Sequence, residues 1–170
     1  MGVTGTGWLS EEEMRAWLAY IDLSTLLGDY LDRQLKRDAG LPHLSYHLLS
    51  RLSAAPGRSL RLSELAERLK ITRGRLSHLL DRMEERGLVS RDGDPADRRG
   101  QLAVLTGEGF EVIDAAAPGH VAAVRRAVFD HLTPEQVQQF AEIAETITGA
   151  LTEAEKGSPS RPAELPWRRR

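Results

Sequence analysis

The sequence predicts a mainly α fold with one small β-wing, and three patterns carry that expectation. Residues 63–69 and 72–86 read as two short helices separated only by Lys70 and Ile71. Two strands, 88–91 and 101–105, flank the turn-forming run DGDPADRRG at 92–100. Longer stretches with apolar residues at helical spacing lie on either side, at 10–37 and 106–151. A short helix, a tight turn, a second helix and a two-stranded loop make a winged helix-turn-helix domain, with further helices at both ends of the chain.

Taken in order, residues 1–7 are glycine-rich, with neither a basic patch nor an apolar core. They are expected to be disordered and not to form a secretory signal peptide. Ser10 followed by Glu13 is a capping box that opens a long helix. Met14, Trp17, Leu18, Ile21, Leu26, Tyr30, Leu31 and Leu35 give it a broad apolar face before Gly40 and Pro42 end it. A second helix at about 45–54 buries Leu44, Leu48, Leu49 and Leu52, and residues 59–62 are candidates for a small third strand. Ser63 is the expected N-cap of the next helix, with Glu64 in its first turn. Thr72 caps the following one and Gly87 ends it. Its apolar stripe is Leu76, Leu79, Leu80 and Met83.

After the wing, Thr106 caps a helix that runs through Phe110, Val112 and Ile113. Pro118 is expected to kink or split it. Thr133, Pro134 and Glu135 begin the last helix, with Phe140, Ile143, Ile147 and Leu151 in its stripe. Beyond residue 155 the composition turns to Ser, Pro and Arg, which predicts a disordered tail. The expected divisions are a disordered N-terminus at 1–9, a dimerisation helix at 10–40, the winged domain at 41–106, C-terminal dimerisation helices at 107–155 and the tail at 156–170. The terminal helices carry more apolar surface than one wing-sized core can cover, which suggests a symmetric homodimer.

The chain has no cysteine, so disulfides, thiolate metal sites and a cysteine redox switch are excluded. No apolar run approaches the roughly 20 residues of a membrane span, so no membrane partner and a cytoplasmic location are expected. Net charge is −2, yet residues 58–99 hold eleven Arg or Lys against eight Asp or Glu. The basic excess therefore sits on the helix-turn-helix and wing, where double-stranded DNA would bind. There is no Gly-rich phosphate loop, no nucleophile elbow and no motif of paired carboxylates, so no enzyme is expected.

Opposite the apolar stripe, the helix at 72–86 presents Arg73, Arg75, Ser77, His78 and Arg82, with Thr72 at its cap. A helix of this size enters the major groove, where Arg73 and Arg75 near its start can reach phosphates or guanine edges and Ser77 and His78, one turn later, can hydrogen-bond bases. An ordinary solvated face is the alternative. Arg82 is expected at a phosphate, or else paired with Asp81 or Glu85. Arg98 and Arg99 on the wing can enter the narrow minor groove, or stand as solvated loop residues. A winged helix used only for protein interaction would instead present an acidic or apolar face.

The run from Asp94 to Arg99 has the form DP-x-DRR and is followed by an apolar strand and by Leu105, Thr106 and Gly107 opening a helix. In this, residues 71–105 resemble the DNA-binding core of the MarR family of bacterial regulators, and the order of elements is similar across 11–151. The resemblance implies a homodimeric transcription factor, often a repressor released by a small ligand. It implies that Arg99 is the minor-groove residue and that Asp97 orients it by a charge-assisted hydrogen bond. It places an effector between the dimerisation helices and the DNA-binding lobe, which brings in Trp17, Tyr20, Tyr46 and His47; plain core packing is the alternative for these side chains. Two recognition helices related by a two-fold axis imply an inverted-repeat operator. His43 and His47 stand four apart, a spacing that can hold zinc, but no third ligand is evident and a capping or solvent-facing pair is the simpler reading. No metal or cofactor is expected.

Overall fold

The computed structural model describes residues 8–95 and 97–157. Of the stretches expected to be disordered, 1–9 and 156–170, residues 1–7 and 158–170 lie outside the described residues, whereas 156 and 157 are not disordered but end the last helix. The chain divides into two compact units, Met1–Ala127 and Val128–Arg170.

The first unit opens with α1, Glu11–Ala39. Its capping box forms: the Glu13 amide donates to Ser10 Oγ at 3.2 Å and the Ser10 amide donates to Glu13 Oε2 at 2.7 Å. Gly40 ends the helix at φ +62°, a left-handed conformation that glycine adopts without a Cβ penalty. Next comes α2, His43–Ser53. It starts earlier than the pattern suggested, because Pro42 sets the entry and the Tyr46 amide already donates to Pro42 O at 3.0 Å. One 3-10 turn, Pro56–Arg58, leads into β1, Ser59–Arg61.

The helix-turn-helix follows as α3, Leu62–Leu69, and α4, Arg73–Glu85. Ser63 does not cap α3. The helix begins one residue earlier, and Arg61 at the cap makes no side-chain capping bond, because a guanidinium offers donors only and cannot accept from the helix amides. Strand β2, Val89–Asp94, and strand β3, Asp97–Leu105, form the wing. The sheet is antiparallel in the order β1-β3-β2, with Ser59 opposite Val104 and Val89 opposite Leu105.

The wing differs from the expected long loop. Most of 92–100 is paired strand, closing from Asp94 to Asp97 after an irregularity at Gly93 and Asp94. Polar residues hid these strands from the sequence pattern, and backbone pairing supplies the bonds that side-chain burial does not.

Helix α5, Gly107–Ala127, is continuous through Pro118 and is not split. Proline removes one backbone bond, but α5 packs along α1 and α2 and buries Ile113, His120 and Ala123, which holds the helix together. The start of α5 is anchored on the turn that leads from α4 into β2. Thr106 Oγ donates to Gly87 O at 2.7 Å and accepts from the Gly109 amide at 3.0 Å. A Cβ at Gly109 would lie 2.0 Å from Leu88 O, so only glycine permits this approach.

Leu35, Leu48, Leu49, Leu52, Leu65, Leu79 and Leu80 are almost fully buried and form one core between α1, α2 and the winged domain. Each such side chain contributes about 1.5–3 kcal/mol of transfer free energy.

The second unit holds a 3-10 turn, Phe129–His131, and α6, Pro134–Gly157. Thr133 and Gln136 cap α6 reciprocally, with the Gln136 amide on Thr133 Oγ1 at 3.3 Å and the Thr133 amide on Gln136 Oε1 at 2.9 Å.

Candidate nucleic-acid interface

The turn before α4 is tight. Lys70 takes φ +53° and the Ile71 amide donates to Ala66 O at 3.1 Å, which closes α3. Thr72 then opens α4, its Oγ1 accepting from the Arg75 amide at 3.3 Å. Leu76, Leu79, Leu80 and Met83 are buried, which fixes the rotation of the helix about its axis. Thr72, Arg73, Arg75, Ser77, His78 and Arg82 are consequently all exposed. Arg75, His78 and Arg82 stand at i, i+3 and i+7 and share one line along the helix, with Arg73 and Ser77 beside it. At a 1.5 Å rise the row from Arg73 to Arg82 spans about 14 Å.

Two of the three acids of α4, Asp81 and Glu84, are engaged by the wing; Glu85 stands exposed at the far end of the helix. Arg91, on β2, donates to Glu84 Oε2, to Asp81 Oδ1 at 2.8 Å and to Ser77 O at 3.0 Å. Asp81 and Glu84 are thus matched by a wing arginine, and among the described residues Arg82 makes no ion pair. The two possibilities open for Arg82 from sequence resolve in favour of an unpaired guanidinium on the exposed face. His78 Nδ1 lies 3.9 Å from Asp81 Oδ2, at the edge of ion-pair range.

A second tie holds the wing tip. Asp94 is buried and meets Arg61 Nε at 2.6 Å. Its side chain folds over Gly100, where a Cβ would lie 2.9 Å from Asp94 Cβ. The first aspartate of DP-x-DRR therefore faces inward and pins the wing to β1. Between the wing and α4 lies a cleft of about 370 Å³ lined by Arg61, Ser63, Arg73, Ser77, Asp97 and Gln101. Arg98 and Arg99 belong to β3, on the returning arm of the wing. Their side chains, and with them the expected orientation of Arg99 by Asp97, lie outside the described residues.

Residues 39–100 match the MarR family model. The chain is also similar over nearly its whole length to Sco3205, a MarR family transcriptional regulator from Streptomyces coelicolor solved in complex with DNA. Identity is 52%, the match covers 95% of this chain and 100% of that one, and the TM-score is 0.83. The chain belongs to the MarR family. AbsC, a second MarR family regulator from the same organism, is 37% identical with a TM-score of 0.83, over 86% of this chain and 98% of that one. The curated relative YkoM of Bacillus subtilis, an HTH-type transcriptional regulator, is 33% identical over 80 residues, 47% of this chain. That match spans about half the length of YkoM, 51%. Membership makes this chain a DNA-binding transcriptional regulator with a winged helix-turn-helix.

Within this MarR-family chain the four residues read from sequence as effector contacts divide into two pairs. Trp17 and Tyr20 stack at 5.7 Å between ring centroids on the exposed early part of α1. Tyr46 is buried in α2, and His47 follows it half-buried. Tyr20 stands fourteen residues before Gln34, whose side chain bonds His120 beside Tyr46, or about 21 Å along the helix. The first unit therefore does not bring the two pairs together.

His43 and His47 do meet, with Nε2 atoms 3.0 Å apart. Sequence spacing missed their third neighbour, His120 of α5, whose ring lies 4.3 Å from that of Tyr46 and 5.8 Å from that of His43. Burial, then the neighbouring imidazoles, holds all three histidines below the usual histidine range, while Asp32 pulls His43 back in part. Burial raises Tyr46. Among the described residues no three His, Asp or Glu are placed to hold a metal ion. The interface residues that sequence reasoning missed are Arg91, Arg61 and Asp94. The available signal for Arg91 was Asp81 and Glu84 three apart on the flank of α4, with one arginine on the strand that follows.

Proposed function

We propose that this protein is a homodimeric, sequence-specific repressor that reads an inverted-repeat operator and is released by a small aromatic or phenolic effector. One observation supports it most. Arg73, Arg75, Ser77, His78 and Arg82 are exposed along α4, while Asp81 and Glu84 of the same helix are held aside by Arg91. Arg73 and Arg75 sit where the helix enters the groove, Ser77 and His78 reach bases one turn on, and Arg82 meets a phosphate. Arg99, oriented by Asp97, enters the minor groove, with Arg98 beside it.

Dimerisation runs through the helices at the chain ends, within 10–40 and 107–155. Trp17, Leu18, Tyr20 and Leu26 on α1, and Phe140, Ile143, Ile147 and Leu151 on α6, are exposed apolar side chains of the kind a partner covers. The effector contacts Tyr46 and His47. The protein acts in the cytoplasm, and no described helix is long and apolar enough to cross a membrane. Selection of DNA from a random pool by the purified full chain tests this reading. A palindromic consensus with half-sites one turn apart, about 34–36 Å, is expected. Enrichment of a single asymmetric site, or of none, would overturn it.

A further inference from the structure

Three histidines meet where α1, α2 and α5 join. His43 and His47 share a bond between Nε2 atoms at 3.0 Å. Two imidazole nitrogens can bond only with one proton between them. That bond survives a positive charge on the donor ring, but a second charge, on the acceptor ring, sets two N–H groups face to face. His120 closes the group. Gln34 Nε2 donates to Asp38 Oδ2 at 3.0 Å, so Gln34 Oε1 is the acceptor for His120 Nδ1–H at 3.2 Å. His120 is thereby held as the Nδ1–H tautomer with its ring 4.3 Å from that of Tyr46.

The charged groups around the cluster are few. Asp32 of α1 accepts the His43 amide at 3.0 Å and is itself paired with Lys36 at 2.6 Å. Arg51 of α2 acts on His47 and opposes its charging. Asp38 of α1 is held by Gln34 and Arg37, with Arg126 of α5 nearby. Among the described residues no charged group of α3, β1 or β3 acts on any of the three imidazoles. Asp32 alone favours a cation here, and it cannot match three.

The cluster is wired toward α4. Gly40, three residues before His43, accepts from Arg86 Nη1 at 3.2 Å, and Arg86 caps α4. The α1–α2 linker is thus fastened at one end to the recognition helix and at the other to the histidines.

We infer that His43, His47 and His120 form a proton-responsive joint, and that charging it on acidification loosens α2 from α5 and weakens operator binding. Burial and mutual repulsion already hold all three below the ordinary histidine range, so the neutral joint is the resting state near neutral pH. The inference rests on the DNA-binding role, and its test separates the two.

The test uses the full chain carrying His78→Asn, which removes the one imidazole on α4 whatever that does to affinity. Operator binding is followed by fluorescence anisotropy at constant salt. Affinity should fall about tenfold from about pH 7.5 to about pH 5.5, the factor that one pKa unit represents. Adding His47→Gln should reduce that fall to about twofold or less. In parallel, the histidine Cε1–H resonances are titrated without DNA. Three should show midpoints below 6.5, and that of His120 should rise when His47 is Gln.

Should circular dichroism show that His47→Gln unfolds, His120→Gln is read in the same way. An undiminished acid fall in the substituted protein, or three independent midpoints at the ordinary value, would overturn the inference. So would affinity that follows added zinc sulfate and not pH. Absence of operator binding at every pH, with linked midpoints still present, would sink the DNA-binding role and leave the proton joint standing.

Discussion

Arg91 Nη2 lies 2.8 Å from Asp81 Oδ1, and this contact joins the wing to the recognition helix. The same guanidinium reaches Glu84 and Ser77 O, so one side chain bridges two turns of α4. A guanidinium presents several donors in a fixed plane, which suits three acceptors spread along a helix; an ammonium does not.

Arg91→Ala should therefore cost about 1–3 kcal/mol of stability, because Asp81 and half-buried Glu84 lose their partner. Arg91→Lys should recover less than half of that. Urea unfolding measures the cost, and operator titration should show the same order of weakening. Equal stability of the alanine variant and the parent would mean that the bridge contributes nothing measurable.

Arg75 and Arg99 should fail differently as alanines. Arg75→Ala should relax preference at one position in each half-site, by about 1–3 kcal/mol for a lost bidentate pair with guanine. Arg99→Ala should weaken all operator variants alike and flatten the salt dependence by about one phosphate-equivalent of slope. The check is a panel of single-base operator variants at two salt concentrations. A uniform loss with Arg75→Ala would assign it to a phosphate instead.

Gly109→Ala runs against helix propensity. In a helix interior alanine is ordinarily better than glycine by about 1 kcal/mol. Here the new Cβ would meet Leu88 O at 2.0 Å, so α5 must move off the segment that precedes β2. The variant should lose about 1–3 kcal/mol, the usual cost of overpacking, as a lower melting temperature. A stabilised variant would show that α5 does not approach that segment this closely.

Acid should destabilise the fold in two steps. His43, His47 and His120 sit below their ordinary value of 6.5, so the unfolded chain binds protons more readily than the native one. Their contribution is fully present above that value and is lost as pH falls through the folded values. Asp32 and Asp38 are also depressed, from 3.8, but as carboxylates their contribution is lost only at lower pH. Melting temperature against pH should show a decline beginning near pH 6.5 that His47→Gln makes shallower. A flat curve down to about pH 5 would contradict the histidine step.

Light scattering at micromolar concentration should return twice the 18.9 kDa chain mass. Leu18→Glu and Ile143→Glu, each at an exposed apolar position, should shift the protein toward monomer. A parent that is monomeric would remove the two-fold operator as well.

Local pattern was enough to place the long helix at 11–39, the recognition helix at 73–85 and the start of the last helix, together with the apolar stripe of each. Capping residues fix where a helix starts: Ser10, Thr72 and Thr133 were readable because their bonds run to residues three positions away. The stripe of Leu76, Leu79, Leu80 and Met83 fixes rotation, and with it the exposure of Arg73, Arg75, Ser77, His78 and Arg82. Tertiary structure alone decided what depends on partners distant in the chain. The wing arms carry no alternation to betray their pairing, and Pro118 stays within one helix because packing outweighs a lost bond. Arg61 meets Asp94, Arg91 meets Asp81, and His120 joins His43 across 77 residues. Local spacing carries no record of such contacts, because they form only once the core has brought their elements together.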